Sequence, residues 1–282
     1  MSSEEWLRLA SRPVRPVKID IVAPNVARVW NYLVGGRDNF EADRRAAKLL
    51  ISVAPAMAEF GPASRAFLRR TVTFLAAEAG IRQFLDVGTG IPTAGNTHEV
   101  AQAVDPACRI VYVDNDPVVL SHARALLRSA EGGVSFLDAD ARDPAAVIAG
   151  AARTLDLSQP VGIVMIDILN FLKDAHAVLA GLVGPVVSGS YLVVMQPTPD
   201  ELLAVAGERW NHISPVPVIL RDRGTIERWF SDLDLELVEP GVVPLHRWRP
   251  DPDDPRCSDT LPLLGAVARK PSCGGRRVNL YR

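Results

Sequence analysis

The chain has 282 residues, 48% of them apolar and 23% charged, and its formal net charge is −2. This composition is typical of a soluble globular protein with one large core, and it argues against a strongly basic nucleic-acid-binding protein or one that binds anionic membranes. The three cysteines, Cys108, Cys257 and Cys273, are far apart and form no C-x-x-C pair. We therefore expect no disulfide framework and no metal site. The N-terminus shows no apolar leader, which adds the expectation of a cytoplasmic location.

Residues 1–60 are expected to form an N-terminal helical extension, and residues 61–282 the main domain. The amphipathic pattern of residues 24–50 predicts two helices that are separated by a pair of glycines. A further amphipathic helix is predicted from residue 62 to residue 79.

The turn at residues 35–40, GGRDNF, is polar and contains two glycines. This pattern is typical of a lid over a bound ligand. Tyr32 and Arg37 are then candidate substrate contacts. An ordinary interhelical turn, in which Arg37 and Asp38 pair locally, is the alternative.

Short apolar strands alternate with helices in the middle of the chain. The predicted strands are 83–87, 109–114, 134–138, 161–167 and 190–195, and the helices between them are 96–104, 117–129, 144–153 and 174–183. This alternation predicts an α/β fold with a parallel, doubly wound sheet. A proline-containing segment then precedes a last helix and two more strands, at 197–221, 223–232, 235–239 and 262–269.

The first strand runs into a glycine turn that carries an acid. In FLDVGTG, residues 84–90, Asp86 lies two residues before the first glycine, and a second apolar run ends on Asp114, 24 residues after Gly90. One βαβ unit needs this spacing. A carboxylate at the end of the second strand, here Asp114, can bind both hydroxyls of a ribose. The glycines let the backbone approach the rest of a nucleoside cofactor.

Asp86 distinguishes between two classes of cofactor. The turn continues Ile91-Pro92-Thr93, without the third glycine that suits a dinucleotide pyrophosphate. An acid before the glycines instead suits the ammonium group of S-adenosylmethionine (SAM). A nicotinamide-dependent oxidoreductase, which would share the βαβ unit, is the alternative.

With these elements in order, the chain resembles the class I SAM-dependent methyltransferases. More narrowly, it resembles a family of predicted SAM methyltransferases that is abundant in high-GC Gram-positive bacteria and was long catalogued as a domain of unknown function. The resemblance implies a Rossmann-like, seven-stranded sheet with an antiparallel last strand. The segments that carry it are NVARVWNYLVGGRDNFEADR (25–44), SRAFLRR (64–70), QFLDVGTGIPTAGNTHEVAQ (83–102), VYVDNDPVVLSHARALL (111–127), DADARDP (138–144), EPGVVPLHRWRPD (239–251) and GAVARKP (265–271).

The expected cofactor-binding residues follow the first three strands. They are Asp86, Gly88, Thr89, Gly90, Asp114, Asn115, Asp140 and Ala141. The resemblance implies that Asp86, Gly88 and Gly90 line the methionine end of SAM. It also implies that Asp114 binds the ribose and that Asn115 lies beside the adenine. Asp140 is expected to accept a hydrogen bond from the adenine amino group, although Asp138 and Asp143 compete for that role.

The candidate catalytic residues are Asp167, Asn170, Tyr32 and Arg37. Asp167 interrupts the apolar run of the fourth strand, and because a buried carboxylate without a partner is costly, it should face cofactor or substrate. A solvated acid at the strand end is the alternative. Asn170 takes the place where the family is expected to show a histidine, and it could hydrogen-bond the substrate.

These features together predict a bacterial SAM-dependent methyltransferase that acts on a small molecule, with O-, N- and C-methylation all open. Methyl transfer from a sulfonium mainly requires positioning and exclusion of water. A non-catalytic SAM-binding regulator or accessory protein is the alternative. We expect no nucleic-acid partner, because no N/D-P-P-Y/F motif follows the fourth strand. No membrane partner is expected, and a homodimer remains open.

Overall fold

The computed structural model describes residues 19–126 and 133–272. The first part of the expected extension, the end of the predicted helix 117–129 and Cys273 lie outside these ranges. Three helices precede the sheet, and strands then alternate with helices. The elements are α1 (Val26–Leu33), α2 (Glu41–Val53), α3 (Met57–Ala77), β1 (Gln83–Val87), α4 (Thr97–Val104), β2 (Arg109–Asp114), α5 (Pro117–Leu126), β3 (Val134–Asp138), α6 (Pro144–Ala151), β4 (Gly162–Met165), α7 (Ala175–Val183), β5 (Tyr191–Pro197), α8 (Glu201–Ile213), α9 (Arg223–Asp232), β6 (Glu236–Leu237), β7 (Val243–Pro244) and β8 (Leu263–Arg269).

Within the described ranges, eight strands form one sheet in the order β3-β2-β1-β4-β5-β8-β6, with β7 paired to β8. Strands β1 to β5 are parallel, and β8 lies antiparallel to β5 and β6. Because β1 lies between β2 and β4, the strand order reverses there. Ligands of doubly wound sheets bind at the carboxyl ends of the strands beside such a reversal.

The predicted fold class, the parallel strands and the antiparallel last strand are confirmed. The sheet has one strand more than the predicted seven, because two residues of the long loop before β8 pair with it as β7. Strand β4 ends before the predicted residue 167, because Asp167 has a φ of 58° and cannot continue a strand.

Helix α3 begins earlier than predicted and crosses the expected domain boundary at residue 60. Pro62 lies inside this helix rather than at its start. Gly61 lies where α3 meets α1, and a Cβ at this position would be 2.5 Å from the carbonyl oxygen of Leu33. The absence of a side chain at Gly61 thus allows the two helices to approach closely.

Helix α8 was not predicted, because the segment that contains it is rich in prolines. These prolines flank the helix, and Asp200 caps it by accepting hydrogen bonds from the N–H groups of Leu202 and Leu203 at 3.0 and 3.1 Å. Leu203, Ala206 and Trp210 form its buried face. Of the helices in the described part of the chain, α8 included, none combines the length and hydrophobicity of a membrane span.

The core occupies both faces of the sheet, as the alternation of β1 dictates. Phe84 packs with Phe67 of α3 on one face, while Leu85 packs on the other face with Leu179 of α7 and Trp229 of α9. Both faces are covered, so the polar carboxyl ends of the strands are the part of the sheet that remains open to a ligand.

A buried ion pair fixes the N-terminal helices. The Arg28 Nε atom donates to Asp43 at 2.7 Å, and the two side chains are 3% and 0% exposed. The Asp43 carboxylate also accepts from the N–H groups of Asn25 and Phe40, at 2.9 and 2.8 Å. The pair connects α1 with α2 and thereby holds the start of α1 over the carboxyl ends of the strands.

Candidate functional site

A cleft of about 240 Å³ lies at the carboxyl ends of the parallel strands. We call it the main cleft. The loops after β1, β2, β3 and β4 form its floor, and helices α1 and α3 contribute a wall. All eight expected cofactor-binding residues line it: Asp86, Gly88, Thr89, Gly90, Asp114, Asn115, Asp140 and Ala141.

The turn after β1 depends on its two glycines. Gly88 and Gly90 have φ of 76° and 66°, which other residues rarely adopt. The Gly90 N–H donates to the Asp114 carboxylate at 2.9 Å, and the Gly88 N–H donates to the Val113 carbonyl at 2.9 Å. The turn is therefore tied to the end of β2, with its backbone facing the main cleft.

Asp86 is a buried carboxylate, 7% exposed, at the end of β1. The Thr97 hydroxyl donates to it at 2.6 Å. Burial raises the pKa of Asp86 to about 6; the hydrogen bond from Thr97 and the charge of Arg65 lower it, and Asp114 raises it further. A buried carboxylate of this kind is stabilised by a cationic ligand.

Asp114 presents its carboxylate to the main cleft from the end of β2. One oxygen accepts from the Gly90 N–H and the other from the Asp116 N–H, each at 2.9 Å. The Asn115 N–H also lowers the pKa of this carboxylate by hydrogen bonding. Because each carboxylate oxygen can accept two hydrogen bonds, Asp114 keeps capacity to accept from a ligand. Burial raises the pKa of Asp114, while these backbone donors lower it.

Of the three acids at and after the end of β3, Asp138, Asp140 and Asp143, Asp140 is the one that lines the main cleft. Asp138 is exposed, and Asp143 caps α6 by accepting from the Ala146 N–H at 3.0 Å. The Asp140 carboxylate accepts from Arg142 and, at 3.3 Å, from Asn115. The hydrogen bond from Arg142 is the main reason that the pKa of Asp140 falls to about 2.

Asp167 and Asn170 lie after β4, as their positions in the sequence indicate. Asp167 lines the main cleft, and burial raises its pKa to about 8 against a hydrogen bond from the Asn170 side chain. Asn170 is 2% exposed. Its Oδ1 atom has no hydrogen-bond partner among the described residues.

A second, smaller cavity of about 70 Å³ adjoins the main cleft. We call it the apolar cavity. Its walls come from α1, α3, α8 and the turn after β4, and Asp167 and Asn170 are its two polar lining residues. Val26, Trp30, Asp167 and Phe171 line both cavities, so the two cavities meet at these residues.

The structure does not bring Tyr32 and Arg37 to either cavity. Tyr32 packs in the apolar cluster between α1, α2 and α8, and Arg37 is exposed. The expected lid at residues 35–40 is a turn built on Asn31, whose Oδ1 atom accepts from the Asp38 N–H at 3.0 Å and from Asn39 at 2.9 Å. Tyr32, Arg37 and this turn thus lie away from both cavities, and the first half of α1 lies at the main cleft.

Sequence reasoning missed several residues of the main cleft, among them Asn25, Trp30, Arg65 and Thr97. The Asn25 side chain donates to Asp116 at 2.6 Å and so connects α1 with the loop after β2. Arg65 belongs to the SRAFLRR segment, but only the fold brings α3 beside Asp86. In residues 19–126 and 133–272, no group of three or more His, Cys, Asp or Glu side chains could hold a metal ion.

Comparison with known proteins agrees with this geometry. The family model of the S-adenosyl methyltransferases matches residues 13–271. A DUF574 family protein from Streptomyces avermitilis is 40% identical, with a TM-score of 0.84, over 90% of this chain and 100% of that chain. A predicted methyltransferase from Thermobifida fusca is 38% identical, with a TM-score of 0.84, over 92% of this chain and 100% of that chain.

Magnesium protoporphyrin IX methyltransferase from Synechocystis, crystallised with S-adenosylhomocysteine (SAH), is 12% identical. Its TM-score is 0.54 over 86% of this chain and 92% of that chain, and this likeness shows the fold alone. A search of curated protein sequences gives no match.

The family match covers nearly the whole described chain. It confirms SAM as the cofactor and a SAM-dependent methyltransferase as the class of protein, over a nicotinamide-dependent oxidoreductase. The chain therefore belongs to the S-adenosyl methyltransferase family and is a SAM-dependent methyltransferase.

Proposed function

We propose that the protein methylates a small molecule, which binds across the opening between the main cleft and the apolar cavity. The observation that carries this proposal is that Asp167 lines both cavities. A cofactor in the main cleft and an acceptor in the apolar cavity would then meet at this residue. The small size and largely apolar lining of the second cavity favour a small molecule over a nucleic acid.

The residues of the main cleft fit SAM along its length. Asp86 would hold the ammonium group, and Arg65, which lines the same part of the cleft, would hold the carboxylate. The Asp114 carboxylate would accept from the two ribose hydroxyls. At the far end, Asp140 and Asn115 would contact the adenine.

Bound SAM supplies an electrophilic methyl group and its own leaving group. The chain's part is then to position the acceptor and to exclude water. Trp30 and Phe171 shield the opening between the cavities. Asp167 is the carboxyl group at that opening. In its ionised form, which its pKa of about 8 makes the minor form at pH 7, it would accept a proton from a hydroxyl or amine. A carboxylate or thiolate acceptor needs no base.

The N-terminal extension, residues 1–60, would act as the cover of the cofactor. Supporting this role, α1 lines the main cleft, and Asn25 connects it to the loop after β2. We also propose a bacterial, cytoplasmic setting, which the free Cys108 and Cys257 support.

The proposed function is tested by the destination of the methyl group. Methyl-labelled SAM is incubated with the protein and a cell extract that has been separated into small molecules, nucleic acids and proteins. We expect label in the small-molecule fraction, and none with Asp114→Ala, which should not bind the cofactor. Labelling confined to nucleic acid or protein would overturn the assignment.

The pKa of Asp86 predicts a pH dependence of SAM binding. Asp86 must be ionised to attract the ammonium group, and its pKa is about 6. The affinity should therefore be constant above pH 7 and fall by up to about tenfold per pH unit below pH 6. Asp114, whose pKa is also raised, adds to this fall. Burial lowers the pKa of Arg65, but a guanidinium stays charged over this pH range.

Calorimetric titration from pH 5 to pH 8 checks this prediction. The Asp86→Asn variant is the control, because it removes the titrating group and should bind more weakly with a flatter pH profile. Equal pH profiles for wild type and variant would show that Asp86 does not contact the ammonium group.

A further inference from the structure

Asn170 is a buried amide whose oxygen lacks a partner. The residue is 2% exposed and lies in the short 3-10 turn Leu169–Phe171 after β4. Its side chain lies close enough to Asp167 to lower the pKa of that carboxyl group by hydrogen bonding, against the effect of burial. The remaining Oδ1 atom has no protein donor among the described residues. Leaving such a group unpaired is costly, so a ligand donor is the expected partner.

The apolar cavity beside this oxygen suits a flat apolar group. Aromatic rings of Trp30, Phe60, Phe171 and Trp210 contribute to its wall. The rings of Phe171 and Trp210 have centroids 6.4 Å apart at a tilt of 56°. The Trp210 N–H is already used, since it donates to the Val216 carbonyl at 2.7 Å. Such walls favour an aromatic ligand through edge and face contacts.

The size of the apolar cavity limits how the acceptor lies. At about 70 Å³, the cavity has about half the volume of an engineered 150 Å³ cavity that holds benzene. A ring can therefore enter only in part, and the rest of the acceptor must extend past Asp167 into the main cleft. This is also what methyl transfer requires, because the reacting atom has to reach the cofactor.

The acceptor should also be uncharged where it contacts this wall. Burial raises the pKa of Asp167 to about 8, so this carboxyl group is mostly neutral at pH 7. No Lys, Arg or His side chain lines the apolar cavity among the described residues. A charged group in this cavity would lose its hydration without gaining a counter-ion.

We propose that the methyl acceptor is a small neutral aromatic molecule that inserts its ring into the apolar cavity and donates one hydrogen bond to Asn170 Oδ1. This inference rests on the proposed function, since it names the class of acceptor for the same site.

Binding of matched probes to the SAH-saturated protein tests the proposal. The probes are p-cresol, which has a hydroxyl donor, and 4-methylanisole, which has the same ring without the donor. We expect the wild type to bind p-cresol about tenfold more tightly, because only p-cresol satisfies the Asn170 oxygen. In Asn170→Leu, which has a similar shape without polar atoms, this preference should disappear, and the melting temperature should not fall.

A second pair of variants tests the cavity itself. Val218 lines the apolar cavity and is half-buried, so Val218→Phe should fill the cavity and abolish p-cresol binding. Val205→Phe is the control, because Val205 is 40% exposed on α8 and does not line the cavity. Both variants should bind SAH as the wild type does.

The outcomes separate this inference from the proposed function. Normal SAH binding with no preference for p-cresol, or with p-cresol binding that survives Val218→Phe, would overturn the aromatic acceptor and leave small-molecule methylation standing. Failure of the folded wild type to bind SAH would instead overturn the cofactor site, on which the aromatic acceptor and the proposed function both depend.

Discussion

Replacing Asp114 with alanine should lower the affinity for SAM and SAH at least about 100-fold, while the protein remains folded. The carboxylate is expected to accept from both ribose hydroxyls, and hydrogen bonds to a charged group contribute about 1.5–3 kcal/mol each. The variant also loses the acceptor for the Gly90 and Asp116 N–H groups, which shape the turns on either side of the cofactor. Calorimetric titration measures the change directly.

Asp138→Ala is the matched control for this variant. Asp138 is the neighbour of Asp114 in the register of β2 and β3, but its side chain is exposed and does not line the main cleft. We expect its affinity for SAM to stay within about twofold of the wild type, as for a surface change away from the site. Equal losses in both variants would show that general charge, rather than ribose contact, explains the Asp114 result.

Replacing Arg28 with methionine should lower the free energy of unfolding by about 3–5 kcal/mol, the cost typical of breaking a buried ion pair by removing one partner. The remaining Asp43 carboxylate would stay fully buried with only the backbone donors of Asn25 and Phe40. Denaturant unfolding at equilibrium measures the change. The affinity for SAM should fall as well, because the same pair holds α1 at the main cleft.

Two further variants separate burial from charge. Arg44→Met removes a surface pair with Glu41, in which the side chains are 38% and 67% exposed, and should cost less than about 1 kcal/mol. The double variant Arg28→Met with Asp43→Leu should recover much of the lost stability, because no buried charge remains. If Arg28→Met lowered the free energy of unfolding no more than Arg44→Met does, the buried pair would not hold the N-terminal helices.

The part of the site that would hold the cofactor could be predicted because its residues are close together in the sequence. Asp86, Gly88 and Gly90 lie within one turn, and Asp114 follows at the spacing of a single βαβ unit. Parallel strands bring their carboxyl ends to one edge of the sheet. These residues can therefore be predicted to meet there without knowledge of how the side chains pack. Asp140 was expected from the sequence in competition with Asp138 and Asp143, because caps and strand ends use acids too, and of the three the structure places Asp140 at the main cleft.

Other residues of the two cavities come together through packing between distant segments and could not be predicted in the same way. Arg65 reaches the main cleft only because α3 packs against the sheet. Trp210 belongs to α8, a helix that the prolines of its segment argued against. Tyr32 and Trp30 are two residues apart on α1 and point to different neighbours, so the pattern alone could not show which one lines the cleft. Asn170 was identified from its position after β4, but its unpaired oxygen appears only in three dimensions.

The most direct test of the account is a crystal structure of the protein with SAH. We predict that the ribose hydroxyls lie on Asp114 and that the sulfur atom lies at the opening beside Asp167, facing the apolar cavity. A sulfur atom directed away from that cavity, or an adenosyl group bound outside the main cleft, would contradict it.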